Sequence, residues 1–228
     1  MAAPFLDIRR RKMEVVKLYK KYGKKNVLEN ITFQVEKGKY IGFIGANGCG
    51  KSTLFRILAG VEKADSGKIL VDEKGYGKIG YVPQENAFLE ELTVADNIDL
   101  FAALGSKKAD ADYRKELCSR FSIQKFEKER INRLSGGMKK RVSIVCALLH
   151  QPEILILDEP SAALDLIFKE ELKACIKEFT NEGGSVLLSS HDQGEIMCCD
   201  RLFALKNGGI TQVEPPFRMN EIIERYIK

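Results

Sequence analysis

The sequence predicts an α/β fold with a mostly parallel sheet and an inserted helical subdomain. Three observations carry that expectation. Short apolar runs recur with a helical stretch beside each, which is the pattern of parallel strands joined by crossover helices. A glycine-rich segment stands where one such run gives way to a helix. Between residues 85 and 150 strand signals vanish and helical periodicity takes over.

In chain order, Ile31, Phe33 and Val35 alternate with Thr32, Gln34 and Glu36, as in a strand with one wet face. After the turn at Lys37 and Gly38, "YIGFIG" is a short apolar run suited to a strand buried on both faces. "STLFRILAG" reads as a helix closed by Gly60. The runs 79–82, 154–157 and 186–189 read as further strands. Within the insertion, Thr93 and Asp96 resemble a helix cap opening "VADNIDLFAAL", and "DYRKELCSRF" has its apolar positions on one face. "RLFALKNGGITQV" reads as a hairpin turning at Asn207 and Gly208. The amphipathic "MNEIIERYIK" ends the chain. One domain over 1–228 is expected, with 13–84 and 151–228 as its α/β core and 85–150 as the helical part.

Composition narrows the function. The 228 residues carry 37 basic and 32 acidic side chains, a net charge of +5. That is too mild to imply nucleic acid, and no basic stripe alternates with aromatics. The cluster from Arg9 to Lys12 is expected to be a solvated, frayed terminus. No apolar run reaches bilayer length, and "MAAPFLDIRRRK" lacks a signal-peptide core. The six cysteines form no CxxC pair or Cys/His metal spacing, so reduced thiols are expected and zinc is not.

"GANGCGKST", residues 45–53, fits G-x-x-x-x-G-K-[ST] between an expected strand and helix. Gly45, Gly48 and Gly50 let backbone N–H groups converge on phosphate, with Asn47 and Cys49 between them and Thr53 closing the pattern. Lys51 supplies the cation for the β- and γ-phosphates, and the Ser52 hydroxyl is a natural Mg²⁺ ligand. "ILILDEP" carries Asp158 to a strand's C-terminal end, where α/β sheets place ligands. Asp158 is expected to bind Mg²⁺, leaving Glu159 to polarise the attacking water. Nucleoside triphosphate binding follows; the class of enzyme does not, since kinases, GTPases and helicases share both elements.

"RLSGGMKKR" adds a second anion seat. Ser135 can cap the helix whose face is Val142, Val145 and Leu149, while Gly136 and Gly137 expose N–H donors. The first loop already wraps its own ATP from one side. The economical geometry is two copies packed head to tail, each lending Ser135, Gly136 and Gly137 to the other's nucleotide.

With these motifs in this order, the chain from about Met13 to Val213 resembles the ATP-binding cassette (ABC) proteins, specifically the nucleotide-binding subunit of a transporter. The resemblance implies an ABC ATPase fold with an N-terminal antiparallel β part. It implies contacts to Mg²⁺ or attacking water from Gln84, to the γ-phosphate from His191, and to adenine from Tyr22. "AALD", beginning at Ala162, matches the loop that crosses the family's dimer. Met138 stands where glutamine is commoner, Ala162 where serine is usual, and Leu166 where proline often follows. ATP and Mg²⁺, a second copy of the chain, and separate integral membrane permease subunits are the implied ligands and partners, which implies a cytoplasmic chain peripheral on the cytoplasmic face of the cell membrane, with membrane contact only through the permease. A non-transport cassette protein of the iron–sulphur assembly, translation or DNA-repair type shares the nucleotide motifs.

Overall fold

The structure, a computed structural model, describes residues 11–71, 79–105, 110–161 and 164–227. Arg9 and Arg10 of the basic cluster, and Ala162 of the "AALD" segment, lie outside the described residues. The strands are β1 (Arg11–Tyr22), β2 (Lys25–Glu36), β3 (Tyr40–Ile44), β4 (Ser66–Val71), β5 (Ile79–Val82), β6 (Ile154–Asp158), β7 (Ser185–Ser189), β8 (Arg201–Lys206) and β9 (Gly209–Val213). The helices are α1 (Lys51–Leu58), α2 (Val94–Leu104), α3 (Ala111–Arg120), α4 (Gly136–Leu148), α5 (Leu166–Asn181), α6 (Gln193–Ile196) and α7 (Met219–Ile222).

Six strands form one sheet in the order β5-β6-β7-β3-β8-β9. All its pairings are parallel except β8 with β9, which close as a hairpin. Asn207 (φ 51°) and Gly208 (φ 77°) are both left-handed, as a two-residue hairpin turn of the favoured hand requires. The central strands β3, β6 and β7 are buried along their whole length, which suits their short apolar runs because both faces are covered. In β6, Ile154 and Ile156 enter one core while Leu155 and Leu157 enter the other. The first core packs against Phe33, Phe43, Phe55 and Phe203, with Phe43 and Phe55 edge to face at 5.3 Å. The second packs against Ile98 of α2, Val142 and Val145 of α4, and Phe168 of α5. Ile222 of α7 sits on a third, smaller cluster with Ile44, Leu202 and Val213.

The antiparallel part is a separate sheet, β2-β1-β4. Arg11 and Lys12 therefore begin a strand instead of fraying. Among the described residues from 85 to 150, no strand forms; an isolated bridge joins Thr93 to Arg130. Thr93 caps α2 as expected, its hydroxyl accepting from Asp96 N–H at 3.1 Å while the Asp96 carboxylate accepts from Thr93 N–H at 3.1 Å. No described helix is long and apolar enough to cross a membrane.

This architecture brings the C-terminal ends of β3, β6 and β7 side by side. Asp158, last in β6, is in register with Ser189, last in β7. In an open α/β sheet that edge is where ligands bind.

Candidate functional site

The chain leaves β3 at Ile44, turns through residues 45–50 and enters α1 at Lys51. The turn is tight at both ends. A side chain at Gly45 (φ 153°) would place its Cβ 2.4 Å from Leu205 O and 2.7 Å from Cys49 Sγ. Cys49 N–H donates to Ala46 O at 3.2 Å. Lys51, buried, folds back so that its ammonium donates to Gly45 O at 2.8 Å and Ala46 O at 3.3 Å. Gly50 caps α1 without a side chain, so no side-chain oxygen competes for the helix's first N–H groups. Ala46, Asn47 and Gly48 are exposed at the lip, Ser52 is half-buried, and buried Thr53 meets Arg56 Nη2 at 3.4 Å.

Opposite stand two carboxylates with different surroundings. Asp158 is buried, and its Oδ1 accepts from the Ser189 hydroxyl at 2.5 Å. Its Oδ2 is also buried yet has no hydrogen-bond partner among the described residues. A lone buried carboxylate oxygen at the same sheet edge as the glycine-rich turn fits Mg²⁺, which takes one or two carboxylates and completes its shell with water and phosphate. Burial, with the Asp158 charge second, pushes the neighbouring Tyr81 phenol up to about 12.

Glu159 has left-handed backbone (φ 48°), held by its N–H donating to Ser189 O at 3.1 Å and accepted also by Ser189 Oγ at 3.0 Å. The turn aims its carboxylate at two partners: Gln84 Nε2 lies 3.3 Å from Oε2, and His191 Nε2 lies 3.5 Å from Oε1. Gln84, Glu159 and His191, far apart in sequence, thus meet at one carboxylate. Behind His191, buried Glu195 accepts from the Ser161 hydroxyl at 3.1 Å and from the Ser190 hydroxyl.

Tyr22 ends β1 of the three-stranded sheet and is 46% exposed. Its hydroxyl donates to the Glu62 carboxylate and accepts from Arg56 Nη2 at 3.3 Å. Arg56 Nε and Lys20 Nζ also reach Glu62, at 3.1 and 3.0 Å. Burial alone would raise the Glu62 carboxyl, but hydrogen bonds from Tyr22, Lys20 and Arg56 hold it below the ordinary range. The hydroxyl edge of the ring is fixed in this way, and Lys20 Nζ stands over the ring 5.3 Å from its centroid.

The second seat opens α4. Ser135 caps the helix by accepting from Met138 N–H at 3.2 Å, and both Ser135 and Gly136 are exposed. Among the described residues, no hydrogen bond joins Ser135, Gly136 or Gly137 to residues 45–53. Further along α4, Arg141 stacks on Phe168 at 3.9 Å and pairs with Asp165 at 3.2 Å. Lys140, buried, donates to Pro83 O at 2.7 Å and Gln84 O at 3.0 Å. Burial lowers its ammonium pKa, and the charges of Asp158 and Glu159 oppose that shift. Ser189 and Glu62 stand outside the quoted motifs, and Lys140 and Arg141 end "RLSGGMKKR" without an expected role; the contacts of all four are made with residues distant in the chain.

Residues 28–162 match the family model described as ABC transporter. An ABC transporter ATP-binding protein of Methanocaldococcus jannaschii is 35% identical over 201 residues, covering 86% of this chain and 75% of that protein. The spermidine/putrescine import ATP-binding protein PotA of Spiroplasma citri is 34% identical, covering 90% and 61%. The linearmycin resistance ATP-binding protein LnrL of Bacillus subtilis is 33% identical, covering 86% and 67%. Among solved structures, an ATP-binding subunit of an ABC transporter superposes with TM-score 0.80 at 30% identity, covering 94% and 92%. A dimeric ATP-binding cassette in a post-hydrolysis state with ADP and Pi gives 0.77 at 23% identity, covering 89% and 99%, a likeness of fold.

Proposed function

This chain belongs to the ABC transporter family as an ATP-binding, ATP-hydrolysing subunit, and from that premise we propose that it works as one half of a head-to-tail pair that powers solute movement through separate permease subunits. The observation that carries the reading is the meeting of Gln84 and His191 on the Glu159 carboxylate, beside a buried Asp158 oxygen with no partner.

Residues 45–53 cradle the phosphates of ATP, with Asn47, Gly48, Cys49 and Gly50 lending backbone and Lys51 its charge. Tyr22 stacks on adenine. Ser52, Gln84 and Asp158 would hold Mg²⁺, which would supply positive charge against the phosphates. Glu159 takes a proton from the attacking water, and the water's position is shared between Glu159 and Gln84. His191 donates to the γ-phosphate oxygens as charge builds there. From the partner copy, Ser135, Gly136 and Gly137 close the open side of the same nucleotide. ATP then glues the interface and hydrolysis releases it.

Residues 85–150 act as the helical arm that relays this opening and closing to the permease on the cytoplasmic face of the membrane. One relative is named for spermidine/putrescine import and another for linearmycin resistance, and both are named ATP-binding proteins.

The test is Glu159→Gln in the full chain with MgATP. The variant is expected to bind ATP, hydrolyse it at least about 10²-fold more slowly, and elute as a dimer on size exclusion. A protein that stays monomeric at saturating ATP overturns the shared site. For the partner, a pull-down from membranes should recover a polytopic protein; recovery of soluble assembly proteins instead overturns the transport role.

A further inference from the structure

Lys140 is buried, and among the described residues no carboxylate forms an ion pair with it. Both hydrogen bonds from its ammonium go to backbone carbonyls, Pro83 O at 2.7 Å and Gln84 O at 3.0 Å. Those carbonyls belong to the segment that leaves β5, whereas Lys140 belongs to α4. Burying an ammonium costs more than burying an apolar residue of like size, so packing alone does not account for it.

Its location suggests what it does. Ser135 caps α4 five residues earlier, about 7.5 Å along the axis at 1.5 Å per residue. Gln84, whose carbonyl Lys140 holds, presents its side chain to Glu159 at 3.3 Å. A continuous chain of contacts therefore runs from Ser135 through one rigid helix to Lys140, to the Gln84 backbone, and to the Glu159 carboxylate. A displacement at the start of α4 would carry the Gln84 carbonyl with it.

We infer that Lys140 is a positioning residue through which the helix carrying Ser135 sets the place of Gln84 and, through it, of Glu159. The inference rests on the proposed roles of Gln84 and of the Ser135 seat. It adds that the seat which receives the partner's nucleotide also adjusts the protomer's own hydrolytic centre. Each protomer would then sense the neighbour's ATP before cleaving its own.

A double-mutant cycle in the full-length protein tests this by steady-state ATPase kinetics. Lys140→Met is expected to lower kcat about tenfold, to change KM for ATP by less than about twofold, and to reduce the Hill coefficient toward one. Lys140→Arg, which can still donate to two carbonyls, should restore most of the rate. In a Gln84→Ala background, Lys140→Met should add less than about twofold.

Independent, multiplying effects of the two substitutions, or an unchanged kcat in Lys140→Met, overturn the inference while leaving the Gln84 role intact. If Gln84→Ala alone hydrolyses at the parent rate, the Gln84 role itself falls, and this inference with it. Should Lys140→Met fold poorly, Lys140→Gln, with one amide donor, serves instead; a kcat and Hill coefficient equal to the parent's would count against Lys140.

Discussion

The two phosphate seats differ in how much of themselves the chain supplies. At residues 45–53 the loop is closed on its own backbone: Lys51 wraps over it, the Gly45 backbone is pressed against Leu205 O, and Asp158 and Glu159 stand opposite. At Ser135 the helix start is finished locally by one cap bond and faces outward with no complementary wall. On the proposed reading the first seat holds a ligand alone and the second is completed by something brought to it, while Lys140 ties the helix of the second to the Pro83 and Gln84 carbonyls. That asymmetry makes separable predictions for the two halves.

The largest effect belongs to the closed seat. Lys51→Ala should abolish measurable ATP binding at concentrations that saturate the parent, read by equilibrium binding of a fluorescent ATP analogue. Next comes the open seat: Ser135→Arg should bind ATP within about twofold of the parent yet lose at least about tenfold in phosphate release. Equal losses of binding and turnover would erase the distinction between the seats. Tyr22→Ala should weaken ATP affinity by about 1–3 kcal/mol through lost stacking. Tyr22→Phe, keeping the ring but freeing it from Glu62 and Arg56, should cost less, with isothermal titration as the check.

Two smaller effects test the frame. Thr93→Ala, which removes the cap of α2, should lower unfolding stability by about 1 kcal/mol without altering ATP affinity. The last concerns acid. The Lys169 ammonium beside Asp192 holds that carboxyl below its ordinary value. A depressed folded pKa contributes stability that is present above the unfolded carboxylate range and disappears as pH falls through the folded value. Asp192→Asn keeps the cap on α6 but removes the charge, so denaturant melts below about pH 4 should show a flatter fall than the parent's.

Much of this was legible in the residues. The runs at 154–157 and 186–189 became β6 and β7 because a strand buried on both faces needs no alternation to be recognised, and that at 79–82 became the edge strand β5, half-buried at Ile79 and Tyr81. The helix caps and the Asn207–Gly208 turn were equally local. β1 was harder to read. Its buried residues Met13, Val15 and Leu18 break the two-residue period because the strand bulges at Lys17 (φ 48°), so the inward set slips by one. β4 is an edge strand whose side chains are mostly exposed, leaving no apolar stripe to find. In the site, residues 45–53, Asp158 and Glu159 announce their chemistry through spacing. Lys140 does not, since a lysine on a helix reads as solvated until the carbonyls of Pro83 and Gln84 are seen against it.

A single hydroxyl on Ser189 gives its proton to Asp158 and receives one from the Glu159 amide. The left-handed turn at Glu159 therefore has two acceptors on one residue, the Ser189 hydroxyl and the Ser189 carbonyl, while Asp158, among the described residues, has the hydroxyl alone. Replacing Ser189 with alanine, a change of one atom, would release the Asp158 oxygen outright yet leave the Glu159 amide its carbonyl bond, so that what is proposed for Asp158 should decline before what is proposed for Glu159.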